Sequence, residues 1–385
     1  MGMGFASACS PRKKPEESEQ LQETSVITDL SDDRYTNLYG RTYYSENMSG
    51  MTIVNSASGY EVCFRGTSLS MRIQANTSTA RGSQKATFSV FVDGETDSEK
   101  NILSVRKSMG WYEKVTVVEG LAEGEHTVKV LKRTPSNFDQ CYIQSLETDG
   151  TFLSAPERPA LKFDFYGDSI TCGSGVMREV TYNESTGKYE DSGVYTVDTQ
   201  NVFHSYAGFA MRELNAEFNV FGRGGIAMKY HHPTAEEFSI LGNYKSMAVD
   251  LSVDRGECPE YDYSSFAPDA VVIYLGTNDY IRYVNNLAPD YPTGLVPAFV
   301  QFIREAIGGN YGYNIPIFLC SNQMARNSGL DQRMEEVKTL LKSQFPNLET
   351  VRFEQCAAGH PVSSEGLAAG RMLAQAIRDK LEQLA

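Results

Sequence analysis

The stretch "LKFDFYGDSITCGSG" (residues 161–175) places a strand-forming run directly before a turn that contains a serine. Residues 161–167 are rich in Leu, Phe and Tyr, which is typical of a strand buried within a sheet. Ser169 follows where this strand ends, so its hydroxyl can project over the sheet edge. Backbone N–H groups of such a turn can point at a developing oxyanion. The stretch therefore predicts a buried strand that delivers a candidate nucleophile.

Downstream of this stretch, short apolar runs alternate with amphipathic segments. Strands are predicted at 216–222, 270–276, 315–320 and 348–353, and helices near 202–214, 294–307, 329–345 and from about Leu367 to Leu384. Strand–helix alternation with continuous apolar strands indicates a parallel sheet covered by helices on both faces, which makes a three-layer α/β/α domain. Reactive groups in such a sheet gather at the carboxyl ends of its strands.

Upstream of this stretch the pattern is different. From about residue 38 to 150 the chain consists of short alternating or β-rich segments separated by glycine-containing turns, which predicts a β-sandwich of jelly-roll type. The proline-containing segment 153–160 is predicted to be the joint between two domains. We expect a polar leader and tether over residues 1–30, the sandwich over 31–152, and the α/β domain over 160–385.

The amino terminus resembles the cleavage end of a bacterial lipoprotein signal. Small residues, Ala6, Ser7 and Ala8, precede Cys9, and a polar segment follows. The apolar run ahead of them is shorter than a working signal requires, so a truncated signal and a chance resemblance both stay open. The first alternative predicts a lipid anchor at Cys9 and a periplasmic or outer-membrane-anchored location. Otherwise we expect a secreted, extracytoplasmic protein.

The composition excludes several classes of partner. A net charge of −14 over 385 residues disfavours nucleic acid, because phosphate binding requires basic patches. The sequence contains no apolar stretch long enough to span a bilayer. Its seven cysteines form no CxxC pair, so a zinc cluster is not expected. We predict that the protein needs neither a metal nor a cofactor.

Two further strand ends carry candidate oxyanion donors. "FGRGG" (221–225) follows the second predicted strand, and its glycines allow the backbone to approach a substrate closely. We favour the Gly222 N–H over that of Gly224 as a donor. "YLGTNDY" (274–280) ends the third strand, where the Asn278 side-chain amide can donate to the same anion. Each motif taken alone is also typical of an ordinary turn.

A single histidine precedes the last predicted helix. "EQCAAGHPVSSEG" (354–366) places His360 in a loop between the last strand and this helix. A histidine at this position can act as the base that accepts the serine proton.

These blocks occur in the order found in a known superfamily. A GDS motif, a glycine turn, a GxND-type block and a late histidine resemble the SGNH (GDSL-type) hydrolases over residues 160–385. The resemblance implies a flavodoxin-like fold with Ser169 as nucleophile and His360 as base. It also implies an oxyanion hole made of the Ser169 N–H, the Gly222 N–H and the Asn278 amide.

A β-sandwich ahead of such a domain resembles the family-two carbohydrate esterases more specifically. Members of that family remove O-acetyl groups from plant polysaccharides. This chain departs from the pattern at Phe221, where the block often has serine, and at Ala357, where an aspartate often stands three residues before the histidine. The resemblance then implies a Ser–His dyad whose histidine is oriented by a main-chain carbonyl, for which Gln355 and Cys356 are the nearest candidates. Without a carboxylate we expect a lower rate than a full triad gives.

The sequence thus predicts a serine esterase that deacetylates xylan- or mannan-type polysaccharides or oligosaccharides. Two alternatives stay open: a carbohydrate-binding protein with weakened catalysis, and an esterase for another short acyl ester. Cys172 is expected to be buried rather than nucleophilic. Trp111 is a candidate sugar-stacking residue, although a role in the sandwich core is the more common one for such aromatics. The polar segment 176–200 is predicted to be a loop beside the cleft.

Overall fold

A computed structural model of the protein describes residues 23–78, 83–230, 239–249, 258–324 and 328–385. The predicted lipid anchor at Cys9 lies outside these ranges. Among the described helices, none combines the length and the apolar character needed to cross a bilayer.

The alternating segments before the proline joint form antiparallel strands. They are β1 (Val26–Ile27), β2 (Thr36–Tyr39), β3 (Tyr44–Ser45), β4 (Gly50–Ile53), β5 (Gly59–Arg65), β6 (Leu69–Thr77), β7 (Lys85–Val92), β8 (Ile102–Arg106), β9 (Glu113–Val118), β10 (Glu125–Lys132), β11 (Asp139–Thr148) and β12 (Thr151–Phe152). One sheet has the order β3-β4-β11-β6-β9 with β1 on β11, and the other has the order β12-β5-β10-β7-β8 with β2 on β5. Apolar side chains of the two sheets, among them Ile73 and Val128, form one buried core. The predicted sandwich is therefore confirmed.

The remaining strands begin with the stretch that contains Ser169. They are β13 (Leu161–Gly167), β14 (Val180–Asn183), β15 (Lys188–Asp191), β16 (Ala216–Gly222), β17 (Ala270–Tyr274), β18 (Ile317–Ser321) and β19 (Leu348–Arg352). Five of them form a parallel sheet in the order β16-β13-β17-β18-β19. Gly167 pairs with Gly222 on one side and with Tyr274 on the other. Three strands thus end level with one another, so the turns that follow them meet at one edge.

Seven helices follow in the described residues. They are α1 (Tyr206–Leu214), α2 (Ile240–Asn243), α3 (Thr277–Val284), α4 (Tyr291–Phe302), α5 (Gly309–Tyr311), α6 (Leu330–Leu341) and α7 (Ser363–Leu384), with 3₁₀ turns at Val197–Thr199, Val202–His204 and Tyr263–Ser265 and a π-helical segment at Ile303–Gly308. Helices α1 and α7 pack together closely, because a Cβ atom on Gly370 would lie 2.6 Å from the Phe209 Cβ. The predicted α/β architecture is confirmed.

One expectation about segment 176–200 is wrong. Part of this segment is the antiparallel hairpin β14–β15 rather than a loop, with Asn183 opposite Lys188 at the turn. The turn is built on the Asn183 side chain, which accepts the N–H groups of Ser185 and Thr186 at 3.0 and 3.2 Å. The hairpin has consequences for the candidate site described below.

A buried arginine of the amino-terminal half joins the sandwich to the parallel sheet. The Arg41 guanidinium lies 3.6 Å from the Asp164 carboxylate and donates to the Tyr166 hydroxyl at 2.8 Å and to the Tyr244 carbonyl at 3.0 Å. Removing one partner of a fully buried ion pair costs roughly 3–5 kcal/mol. This contact fixes the sandwich on the parallel sheet. The bounds of the two domains given above remain our proposal.

Candidate active site

Ser169 and His360 meet at the carboxyl edge of the parallel sheet. The His360 Nε2 lies 2.8 Å from the Ser169 Oγ, although 191 residues separate them. Ser169 comes from the turn after β13, and His360 comes from the loop between β19 and α7. A serine hydroxyl within hydrogen-bond distance of an imidazole is the geometry that proton transfer from an attacking serine requires.

The turn that presents Ser169 is held by its own backbone. The Cys172 N–H donates to the Asp168 carbonyl at 3.1 Å, and the Ser174 N–H donates to the Ser169 carbonyl at 2.8 Å. Gly167 is required before this turn, because a Cβ atom there would lie 1.9 Å from the Thr171 Oγ1. The local sequence thus fixes the position of the Ser169 hydroxyl.

Asn278, at the start of α3, contacts the same turn. Its side-chain amide donates to the Asp168 carboxylate at 3.2 Å and to the Ile226 carbonyl at 2.8 Å. Burial raises the pKa of Asp168 to about 7, although the hydrogen bond that its carboxylate accepts from the Ile170 N–H acts to lower this pKa. Asn278 is therefore oriented by two acceptors, one of which is partly protonated near neutral pH.

The neighbouring Asp279 ties α3 to the segment after β16. Its buried carboxylate accepts the N–H groups of Met228, Lys229 and Tyr230 at 2.9, 3.0 and 3.0 Å. Three backbone donors to one carboxylate hold the segment after β16 against α3. This bracing role of Asp279 was not predicted from the sequence.

Our choice of Gly222 over Gly224 is corrected by the register of β16. Gly222 is the last residue of the strand and packs on β13, since a Cβ atom there would lie 2.3 Å from the Gly167 carbonyl oxygen. Gly224 lies beyond the strand end and lines the same cavity as Ser169. Gly224 therefore replaces Gly222 as our candidate oxyanion donor.

The orientation of His360 also differs from the prediction. Its Nδ1 lies 3.3 Å from the Tyr195 hydroxyl, and the two rings pack with centroids 5.3 Å apart. The proposed carbonyls of Gln355 and Cys356 are not among the contacts described for this nitrogen. The Cys356 N–H instead donates to the Gln323 carbonyl at 2.9 Å, which places this part of the loop on the strand end after β18. Tyr195 therefore replaces the two carbonyls as the candidate partner of Nδ1.

An ion pair between the buried Arg178 and the partly exposed Asp191, which was not predicted from the sequence, holds the histidine loop. Arg178 donates to the Asp191 carboxylate at 2.8 Å, to the Ala358 carbonyl at 2.7 Å and to the His360 carbonyl. On the other side of the loop, the Glu365 carboxylate of α7 accepts the N–H of Ala357 at 2.6 Å. The backbone around His360 is thus fixed from both sides without an aspartate at position 357.

The imidazole of His360 is neutral at physiological pH. Burial, with a smaller contribution from the Arg178 charge, lowers its pKa to about 4, and Asp191 opposes this shift. A neutral imidazole can donate from Nδ1 to the Tyr195 hydroxyl and accept a proton at Nε2. This protonation state is the one that a general base needs.

The pH dependence of activity should report this lowered pKa. Because only neutral His360 can accept the Ser169 proton, kcat/KM is expected to be constant from about pH 7 down to about pH 5 and to fall as the pH passes through about 4. A stopped assay of p-nitrophenyl acetate hydrolysis from pH 3 to 8 measures the profile. Circular dichroism at each pH is the control for unfolding. An acidic limb near pH 6.5 in folded protein would contradict the lowered pKa.

Around these groups lies a cavity of about 420 Å³. Its wall includes side chains from both halves of the protein: Asn137, Phe138, Ser169, Ser174, Tyr195, Gln200, Gly224, Gly225, Thr277, Asn278, Ile281, Met324 and His360. Asn137 and Phe138 belong to the sandwich, which therefore forms part of the wall, whereas Trp111 lies outside the cavity and is 58% exposed.

Within the described ranges no group of three or more His, Cys, Asp or Glu side chains is arranged to hold a metal ion.

The cysteines do not take part in this arrangement. The six within the described residues form no disulfide bond with one another. Cys172, three residues after the serine, is fully buried, and burial raises the pKa of its thiol to about 12. It is therefore protonated and inert, as expected from the sequence.

Two family models match the chain in the order of its two folds. One describes the amino-terminal region of carbohydrate esterase 2 and matches residues 38–156, and the other describes GDSL-like lipases and acylhydrolases and matches residues 165–346. Together the two matches support an SGNH hydrolase of the carbohydrate esterase 2 type. The resemblance predicted from the sequence is confirmed, and both matches support a carboxylic ester hydrolase.

Individual relatives agree with this assignment. The chain is 29% identical over 297 residues to the cellulase/esterase CelE of Acetivibrio thermocellus, covering 76% of this chain and 32% of that protein. It thus spans about a third of the length of CelE. It is 24% identical over 307 residues to an acetylxylan esterase/glucomannan deacetylase of Cellvibrio japonicus, covering 80% and 75% of the two chains.

A solved structure shares the whole architecture. A family two carbohydrate esterase from Clostridium thermocellum, in complex with cellohexaose, superposes with a TM-score of 0.74 at 27% identity, covering 90% of this chain and 99% of that one. The fold of a sandwich followed by an SGNH domain is therefore the fold of this family. The roles of individual site residues remain our proposals.

Proposed function

We propose that this protein is a serine esterase that removes O-acetyl groups from plant cell-wall polysaccharides or their oligosaccharides, of the acetylated xylan or mannan type. The observation that carries the proposal is the 2.8 Å contact between the His360 Nε2 and the Ser169 Oγ at the floor of an open cavity. The named activities of its relatives support the acetyl group and the substrate class. A polymeric substrate of this kind also favours an extracytoplasmic location.

The proposed reaction begins with acyl transfer to the serine. The His360 Nε2 accepts the Ser169 proton while the Oγ attacks the carbonyl carbon of the acetyl ester. The Ser169 N–H, the Gly224 N–H and the Asn278 amide donate to the resulting oxyanion. When this intermediate collapses, the bond to the sugar oxygen breaks, and His360 returns its proton to that oxygen.

Water completes the cycle by the same route. His360 accepts a proton from a water molecule, whose oxygen attacks the acetyl-serine carbonyl. Collapse of the second tetrahedral intermediate releases acetate and restores the Ser169 hydroxyl. Each proton that leaves an oxygen in this sequence returns to another oxygen, so the reaction requires no metal or redox partner.

The test compares natural esters with a series of acyl chain lengths. We expect acetate release from acetylated xylan and glucomannan oligosaccharides, measured by NMR, and kcat/KM for p-nitrophenyl esters that falls by about tenfold or more from acetate to butyrate. This expectation rests on the acetyl ester in the name of one relative, an acetylxylan esterase/glucomannan deacetylase. Ser169→Ala is the background control.

Two outcomes would contradict the proposal in different ways. A preference for long acyl chains would indicate an esterase for another class of ester. Turnover of every ester no better than that of Ser169→Ala, combined with binding of the oligosaccharides, would indicate a carbohydrate-binding protein whose catalysis is lost.

A further inference from the structure

The hairpin β14–β15 carries a pair of exposed aromatic side chains. Tyr182 and Tyr189 are register partners, and their ring centroids lie 5.1 Å apart at an interplanar angle of 61°. They are 55% and 53% exposed, which is unusual for two large apolar rings in contact. The hydrogen bonds of the candidate active site do not involve them.

Both tyrosines lie on the face of the hairpin that looks toward the histidine loop. Side chains two residues apart on a strand share a face, so Tyr189 lies on the same side as Asp191, and its partner Tyr182 does too. The Asp191 carboxylate reaches the histidine loop, since a Cβ atom on Gly359 would lie 2.4 Å from its Oδ2. Tyr189 is therefore about 7 Å along the strand from Asp191, which contacts this loop.

A third tyrosine connects this face with the cavity. Tyr195 lines the cavity, contacts the His360 ring and is 36% exposed. Its hydroxyl would lie 3.1 Å from the same Cβ atom on Gly359. Tyr195 and Asp191 thus meet at the histidine loop, so the cavity and the hairpin face that carries the two tyrosines border the same loop.

We propose that Tyr182 and Tyr189 form a subsite that binds an unacetylated pyranose ring of the glycan, next to the acetylated residue in the cavity. This inference rests on the function proposed above and extends it to a longer ligand. The apolar C–H face of a pyranose packs on an aromatic ring, while the tyrosine hydroxyl can bond to sugar hydroxyls. Both rings present such a surface to solvent.

The surroundings of the pair argue against other occupants. Exposed charges of both signs, Glu184, Lys188 and Glu190, flank the two rings. The apolar patch is thus limited to two side chains, far smaller than the surface that a stable protein interface buries. A single sugar ring, in contrast, covers an area of this size.

Binding of unacetylated hexasaccharides tests the subsite without any chemistry. Xylohexaose, mannohexaose and cellohexaose are titrated by calorimetry into the wild-type chain and into Tyr182→Leu, Tyr189→Leu and the double variant. Leucine keeps an apolar cross-strand contact but removes the aromatic face. We expect at least one hexasaccharide to bind, and each substitution to weaken its affinity by about 3- to 10-fold. Tyr182→Trp should preserve binding.

Kinetics separates a subsite from a merely structural role of the pair. For an acetylated oligosaccharide, the double variant should raise KM by a similar factor and leave kcat unchanged, while p-nitrophenyl acetate hydrolysis stays within about twofold. Trp111→Leu, an exposed aromatic of the sandwich, is the matched control and should change neither affinity nor KM.

The following results would overturn the subsite. The first is wild-type protein that binds none of the three hexasaccharides, and the second is unchanged affinity in the double variant or a loss of affinity in Trp111→Leu instead. The third is a loss of aryl-acetate activity in the double variant as large as its loss of affinity, which would mean that the pair only supports Asp191. Absence of esterase activity in the wild type would refute the proposed function, whereas the calorimetric test would still decide the subsite.

Discussion

Replacing Ser169 with alanine is expected to lower kcat for p-nitrophenyl acetate by about 10⁴-fold or more, and His360→Ala should lower it to a similar extent. The reason is that the two side chains act through one proton transfer across the 2.8 Å contact between Nε2 and Oγ. Once either partner is absent, the other has nothing to act on. The double variant should therefore be no slower than the slower single variant, and steady-state kinetics on all three proteins checks this.

Two conservative variants calibrate the loss. Ser174 lies in the same cavity and is equally buried, so Ser174→Ala should change kcat by no more than a few-fold. Tyr195→Phe keeps the ring beside His360 but removes one neutral hydrogen bond, which is worth about 0.5–1.5 kcal/mol, or roughly 2- to 12-fold in kcat. Additive losses in Ser169→Ala and His360→Ala would show that the two residues do not act as a unit.

The parallel sheet could be predicted because its signals are local. Each strand is a short apolar run that ends in glycine or a polar turn, and β13 and β16 have the predicted bounds. The positions of Ser169, Asn278 and His360 at one edge follow from the same reasoning, since parallel strands end together. Residues whose positions follow from the ends of the strands could thus be predicted from the sequence.

The surroundings of His360 could not be predicted because they depend on long-range contacts. Tyr195 and Arg178 are 165 and 182 residues from His360 in sequence, and the polar segment that contains them gave no apolar period. A stretch rich in Tyr and Glu is predicted to be a solvated loop unless the turn at Asn183 is recognised as the turn of a β-hairpin. Because no aspartate stands at position 357, we expected a nearby main-chain carbonyl to orient His360. The structure instead places the Tyr195 hydroxyl beside the His360 Nδ1.

The error at Gly222 has a different origin. Both glycines of the second block allow close backbone approach, and although the end of β16 was predicted correctly, the sequence alone did not decide which glycine faces the cavity. The strand continues through Gly222 because Gly167 on β13 offers no side chain, so the two backbones can pack closely. Gly222 therefore lies within the sheet, whereas Gly224, two residues beyond the strand end, lies in the cavity wall.

Asn278→Ala is expected to lower kcat by about 10²–10³-fold with KM nearly unchanged, because an oxyanion donor acts in the transition state and not in the ground state. In the unliganded protein both N–H groups of this amide are used, one by the Ile226 carbonyl and one by the Asp168 carboxylate. The bond to Asp168 is the longer, and its acceptor has a pKa raised to about 7. We therefore expect this second N–H to be the one that turns to the oxyanion.

A purely structural role of Asn278 would give a different result, and the two are separable. If the amide only braces Asp168, its loss should destabilise the protein by about 1–3 kcal/mol, the cost of an unpaired buried polar group, and leave kcat in the folded fraction intact. Urea denaturation and active-site titration of the same samples measure both quantities. Asn285→Ala, at the exposed end of the same helix, is the matched control. A kcat that falls by about 10²–10³-fold while KM and the folded fraction hold would exclude a purely structural role and support Asn278 as an oxyanion donor.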